Sequence, residues 1–123
     1  DIIRVDNIYY DLAKWNIRPD AAKELDKLVD IMKKYPKMQI ELGSHTDCRA
    51  SYKYNMDLSE KRAKSAVQYI VKKGVEASRM TYKGYGESKL INHCECEGTR
   101  VVPCTEEEHQ QNRRTEFKVL NVK

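Results

Sequence analysis

Between Asp57 and Gly74 the apolar residues Ala63, Ala66, Val67, Ile70 and Val71 recur at steps of three and four, while on either side of this stretch the period drops to two. That change of period constrains the fold more than any other feature of the chain, because it places an amphipathic helix between two half-buried strands. Upstream, Met38, Ile40 and Leu42 alternate with Gln39 and Glu41, and Gly43 closes this predicted strand. A loop from Ser44 to about Asn55 follows. The helix then opens at Asp57, whose carboxylate caps it while Glu60 completes a capping box, and Gly74 terminates it. Downstream, Arg79 to Tyr85 reads as a strand with Met80 and Tyr82 on one face, ended by Gly84 and Gly86.

The flanking segments extend the alternation. Ile2 to Asp11 is rich in Ile, Val and Tyr and reads as a strand. Pro19 stands where a first helical turn accepts it, and Ala22, Leu25, Leu28, Val29, Met32 and Tyr35 form a second apolar stripe, ended by Pro36. From Ser88 to Gln111 neither period is present, apart from a short helix over Glu106 to Gln111. Arg114 to Val122 forms a last strand with Thr115, Phe117 and Val119 on one face. The order β-α-β-α-β-β predicts an α+β fold, a two-layer sandwich with both helices on one face of a mixed sheet. Right-handed crossovers would bring the strand-to-helix loops to one edge of that sheet, where ligands usually bind.

A length of 123 residues suits one domain spanning 1–123. No apolar run approaches the roughly 20 residues of a membrane helix, and the longest, such as Ala66 to Val71, are too short for a secretory signal. Starting at Asp1 rather than Met, the chain reads as a mature or excised fragment. Its net charge of +4 is unevenly spread: residues 92–111 hold five Glu and one Arg, a balance of −4, so the rest carries +8. A basic body of this kind fits nucleic acid, an anionic membrane, an anionic polymer such as cell-wall material, or simply a solvated lysine surface. Eight Tyr could stack on bases, but no nucleic-acid reading motif accompanies them, and Tyr35, Tyr69 and Tyr82 fall at core spacing. Trp15 either packs on the first helix or flanks a cleft.

Cys48, Cys94, Cys96 and Cys104 are even in number, and three of them lie within eleven residues. In a small domain this pattern predicts two disulfides and an oxidising compartment. A Cys94–Cys96 bond would close a strained ring, which leaves one of the two for Cys48 and the other for Cys104. The competing reading is zinc held by these thiols with His93, His45 or His109. The C-x-C spacing does not match the usual pairs, so no metal and no cofactor are expected.

After the predicted second strand the sequence runs Ser44-His45-Thr46-Asp47, with Asn55 and Arg62 following on the way into the next helix. Asp47 at a strand end and Arg62 early in a helix return to the same cleft. Together they form a clamp for a zwitterion, with Asp47 taking an ammonium group and Arg62 a carboxylate in bidentate fashion. Equally, Asp47 and Arg62 could pair with each other and pin the loop.

These residues, with Tyr54-Asn55, Leu58-Ser59, Arg62-Ala63, Gly84-Tyr85-Gly86-Glu87 and Asn112-Arg113-Arg114-Thr115-Glu116-Phe117, resemble the signature of the periplasmic OmpA-like domain. That domain is shared by outer-membrane porin-type proteins, peptidoglycan-associated lipoproteins and flagellar stator proteins, and the matching blocks run from about Tyr9 to Leu120. The resemblance implies non-covalent peptidoglycan binding through the stem peptide's meso-diaminopimelate, anchoring the outer membrane of a Gram-negative cell to its wall. By position, Asp47 would hold the diaminopimelate ammonium and Arg62 a carboxylate. Asn55, Thr46 and Leu58 would line the site, with Arg113 and Arg114 near the same rim. It further implies a periplasmic location, membrane attachment only through a preceding segment, and a homo- or hetero-oligomer as a compatible state of the full-length protein.

The sequence departs from the family pattern in three places. Ala50 stands where Gly is common, which suggests a different turn. Ala13 occupies a position where many relatives carry a ligand-contacting Asn. The cysteine-bearing segment of about 92–111 is an insertion, and Cys48 lies in the ligand loop. The preferred pairing is Cys94 with Cys104, closing a loop within the insertion, and Cys48 with Cys96, tying it to the ligand loop. An enzyme is not expected: Ser44, Ser59, His45 and Asp47 could be drawn as a triad, but no nucleophile elbow or zinc-protease motif supports it. The rival to a wall-binding module is a structural or oligomerisation module of the same fold with weakened or lost wall contact, which Ala13 and Ala50 favour.

Overall fold

Pro19 occupies the first turn of helix α1 (Pro19–Lys34), where its missing N–H costs nothing. The computed structural model describes residues 2–11, 14–88, 91–92, 94 and 104–121. Around α1 run strands β1 (Ile2–Tyr9) and β2 (Gln39–His45), helix α2 (Tyr52–Lys72), a 3-10 turn (Ala77–Arg79), β3 (Met80–Gly86), helix α3 (Glu106–Asn112) and β4 (Arg114–Asn121). The sheet order is β1-β4-β2-β3, with β2 and β3 parallel and β4 antiparallel to both of its neighbours. This is the mixed sheet of an α+β sandwich. Leu25, Leu28 and Met32 of α1, Ala66 and Ile70 of α2, and Ile8, Ile40, Leu42, Met80 and Phe117 of the sheet share one buried apolar core. No helix among the described residues is long and apolar enough to cross a membrane.

Several expected boundaries move. Gly43 does not close β2, which continues through Ser44 and His45 paired to β3 and β4. Helix α2 begins at Tyr52 rather than Asp57: Ser51 caps it, its hydroxyl accepting from the Tyr54 N–H at 3.1 Å. The first turns of α2 bury Asn55, Leu58, Ser59 and Arg62, so polar side chains occupy the inward stripe and hide the helical period. In α1 the buried alanine is Ala21 rather than Ala22, and Tyr35 is exposed, as are Val71 and Tyr82. Those tyrosines are not core. Arg79 precedes β3, and its buried guanidinium donates to the carbonyls of Met32, Tyr35 and Met38, two of them at the end of α1. Met32 O, left unbonded at the helix end, is thereby satisfied, and Tyr35 O accepts from Arg79 as well as from the Met38 N–H.

Two backbone positions fix the approach of α2 to the sheet edge. At Gly84 an added Cβ would lie 2.5 Å from the Glu60 backbone nitrogen, so only glycine lets β3 pass this close to α2. Ala50, just before the Ser51 cap, has φ +80°. An L-residue is strained by roughly 1–2 kcal/mol in such a conformation. The expected different turn is therefore absent in one respect: alanine itself occupies the left-handed region that glycine favours.

Cys94 and Cys104 form a disulfide. Cys48 is buried and also disulfide-bonded, while its expected partner Cys96 lies outside the described residues, as do Ala13 and His93. With their sulfurs bonded to each other, Cys94 and Cys104 offer no thiolates, and the zinc alternative falls away.

Candidate functional site

The loop leaving β2 and the first turns of α2 enclose a cleft of about 310 Å³ lined by Thr46, Asp47, Arg49, Ala50, Tyr54, Asn55, Leu58, Arg62 and Arg113. Six of the seven sequence-predicted site residues are thus brought together. Arg114 is not: its guanidinium turns to Glu116 on its own strand and to the Asn112 carbonyl.

The loop is pinned by backbone bonds. The Thr46 N–H donates to the Gly86 carbonyl at 2.9 Å, continuing the β2–β3 contact past the end of the strand. Asn55 donates through Nδ2 to the Asp47 carbonyl at 3.3 Å and to Glu87 Oε1 at 2.9 Å, joining the helix to both loops. The Ser59 hydroxyl accepts from the Gly86 N–H at 2.8 Å. Ser44 instead bonds Thr115, and the His45 ring stacks on Tyr85 with centroids 5.1 Å apart. Ser44, Ser59 and His45 therefore face different neighbours, and the triad that could be drawn on paper does not assemble.

Arg62 is fully buried, and its guanidinium is gathered by the backbone. Nε donates to Lys14 O at 2.8 Å, Nη1 to His45 O at 3.2 Å and Nη2 to Asp11 O at 3.1 Å. It also lies 5.0 Å from the centroid of the buried Tyr10 ring. Of the five N–H donors of a guanidinium, these bonds use three. Burial lowers its pKa to about 10, which still leaves it cationic at neutral pH. Burial raises the Tyr10 phenol to about 12, and its hydroxyl donates to Arg62 O and accepts from Thr115. Arg62 is a positive charge fixed at the floor of the cleft without a carboxylate partner among the described residues.

Asp47 is not paired with Arg62, so the self-pinning alternative is not what forms. Its Oδ1 accepts from the Arg49 N–H at 3.0 Å, and its Oδ2 accepts from Arg49 Nη2 at 2.8 Å and Arg113 Nη1 at 2.9 Å. Burial pushes the Asp47 carboxyl up, but hydrogen bonds from Arg49 and Arg113 outweigh it and hold the group below its ordinary value. Arg113 also donates to Tyr10 O, Glu106 and Gln110. Glu106 in turn binds Arg49 at 2.9 Å, and both bonds hold its carboxyl below the usual range.

Sequence reasoning missed Arg49, Glu87 and Glu106. Arg49 and Glu87 adjoin singled-out residues, yet nothing in their spacing shows which way they turn. Glu106 carried a signal in hindsight, since it belongs to the acidic segment of an otherwise basic chain and meets that basic body at Arg49 and Arg113. Trp15 is half exposed, 4.6 Å from the Lys61 ammonium, and does not line the cleft.

This fold and signature match a known class: residues 9–102 match the OmpA family, and the chain belongs to it. Over 119 residues it is 34% identical to outer membrane porin F of Pseudomonas fluorescens, covering 96% of this chain and 34% of that protein. It is also 34% identical over 90 residues to the peptidoglycan-associated lipoprotein of Rhizobium meliloti, covering 73% of this chain and 51% of that protein. The crystal structure of the peptidoglycan-associated lipoprotein from Burkholderia pseudomallei superposes with a TM-score of 0.78 at 22% identity, over 91% of this chain and 87% of that one. The chain spans about half or less of the curated relatives' length. Domains of this family are non-catalytic structural or binding modules.

Proposed function

We propose that this domain binds peptidoglycan without covalent chemistry, through the meso-diaminopimelate of the stem peptide, and so ties an outer membrane to the cell wall from the periplasm. The observation that carries the reading is Arg62: a buried cation held in place by three backbone carbonyls, with donors to spare and no carboxylate partner among the described residues, at the floor of a cleft that also holds Asp47. Such a site calls for a ligand that brings a carboxylate to Arg62 and an ammonium to Asp47, and the side-chain end of diaminopimelate carries both. Asn55 and Thr46 hold the loop, Leu58 supplies an apolar wall, and Arg113 keeps Asp47 ionised and aimed. Attachment to the membrane lies in the parts of the whole protein beyond this domain. The peptidoglycan-associated lipoproteins among the relatives support the polymer as partner.

Calorimetric titration with a muropeptide carrying meso-diaminopimelate, beside an otherwise identical one carrying lysine, tests the reading. The lysine form lacks the carboxylate that Arg62 would bind, and it should lose about 2 to 5 kcal/mol, the scale of a buried charged pair deprived of one partner. Equal affinity for the two would falsify the assignment of Arg62.

One observation favours the rival, a structural module with weakened wall contact: the Asp47 side chain is only 4% exposed and already carries two guanidinium groups. On that reading neither muropeptide binds.

A further inference from the structure

We propose that Arg49 is a built-in occupant of the ammonium subsite, and that Glu106 is the carboxylate that retains it when a ligand's ammonium takes its place at Asp47. The proposal rests on the wall-binding reading above and makes Arg49 the residue that sets how demanding the site is.

While Arg49 is in place, an incoming cation has no route to either Asp47 oxygen, since both are bonded and the side chain is almost wholly covered. One of the two guanidinium groups must give way, and the structure makes them unequal. Arg113 is 4% exposed and donates to four acceptors on three segments: Tyr10 O, Asp47, Glu106 and Gln110. Moving it would break four bonds at once and leave Gln110 Nε2 as the side-chain tie between α3 and Tyr10 O among the described residues. Arg49 is 35% exposed, and among the described residues its side chain holds only Asp47 and Glu106. Its buried Nε has no hydrogen-bond partner among the described residues, so its present seat leaves a donor unmet there.

The destination is already in contact. Arg49 Nη1 lies 2.9 Å from Glu106 Oε2 and Nη2 lies 3.4 Å from Glu106 Oε1, so the guanidinium can leave Asp47 by pivoting on a carboxylate it already holds. Charge stays balanced through the exchange. Asp47 keeps Arg113 and gains the ligand ammonium, and Glu106 keeps Arg49 and Arg113. No ionised group is left unpaired in a partly buried site, which would otherwise oppose the step.

A selective threshold follows. A simple amine would trade one charge-assisted bond for another at Asp47 and gain little. A ligand whose carboxylate also reaches Arg62 gains a second charge-assisted bond there, through the guanidinium N–H groups that the three backbone carbonyls leave over. Arg49 thus excludes bare cations without touching the ligand.

Titration of the meso-diaminopimelate muropeptide into the wild-type domain, Arg49→Ala, Glu106→Gln and the double variant tests this. Arg49→Ala should bind tighter by roughly tenfold, the worth of one charge-assisted bond no longer displaced. Glu106→Gln should bind more weakly than wild type, and this loss should vanish in the Arg49→Ala background. Circular dichroism melts and the parallel variant Arg49→Gln, which keeps a polar side chain of similar reach, separate an effect on the site from one on folding. Unchanged or weakened binding in both folded Arg49 variants overturns the proposal, as does a Glu106→Gln loss that persists without Arg49, while either result leaves wall binding itself intact. Absence of binding in all variants removes the wall-binding reading and this proposal with it.

Discussion

Two buried arginines do similar work at opposite ends of the domain: Arg62 collects carbonyls of Asp11, Lys14 and His45, and Arg79 collects those of Met32, Tyr35 and Met38. Each gathers carbonyls at the ends of elements, some of which, Asp11 O and Tyr35 O, also accept a backbone turn bond. Asp47 is their acidic counterpart, and its effect on stability has a definite sign. Its folded-state pKa lies below the ordinary value of 3.8, so the unfolded chain takes up the proton first. Its contribution is complete above the unfolded value and drains away as pH falls through the folded one. Asp47→Asn should therefore lower neutral-pH stability by about 1.5 to 3 kcal/mol, the worth of hydrogen bonds to a charged group, because Arg49 and Arg113 then share Glu106 alone among the described carboxylates. It should also flatten the acid limb of stability against pH, leaving the part due to Glu106; urea melts across the acid range would show both. An acid limb as steep as that of the wild type would assign it to other carboxylates. The sequence displayed Asp47, Asn55 and Arg62 by type and spacing, and the family resemblance put Arg113 near the same rim, but neither showed which groups bond to which. Backbone carbonyls carry no residue signature, and Glu106 arrives from more than fifty residues away.

At the scale of elements, α2 shows how a site can disguise the helix that carries it. Its inward stripe runs Asn55, Leu58, Ser59, Arg62, Ala63, Ala66, Val67 and Ile70, a regular helical period whose first half is mostly polar. Apolar periodicity alone therefore reveals only the C-terminal turns, and the start is misplaced by five residues. Ser51→Ala should lower stability by about 1 kcal/mol through loss of the cap. Asp57→Ala, exposed and inside the helix, should change it by less than about 0.5 kcal/mol. Chemical denaturation of the two variants compares them directly, and the reverse ranking would place the helix start at Asp57. Where no chemistry intrudes the elements were readily legible: Pro19 opens α1, Gly74 follows the end of α2 with φ +102°, and the alternation of Met38, Ile40 and Leu42 matches the buried face leading into and along β2.

For the whole molecule, the cysteines do what a larger core would do elsewhere. Cys94 and Cys104 close a loop with a sequence separation of 10, and Glu106, two residues on, begins the helix that reaches Arg49 and Arg113. Replacing both by serine should cost about 3 kcal/mol on the chain-entropy account, read as a lower denaturant midpoint, and an unchanged midpoint would mean that the bond is idle in stability. The sheet order has a different consequence. β1 and β2 do not pair with each other; β4 lies between them and bonds to both. Until β4 is available, β1 has no neighbour in the sheet and β2 offers a bare edge, so the pairings that join the two halves are all long in sequence and late to form. A chain made from its N-terminus thus lacks the strand that ties β1 to the rest of the sheet until nearly all of the described sequence has been synthesised, so its sheet closes last where its two ends meet.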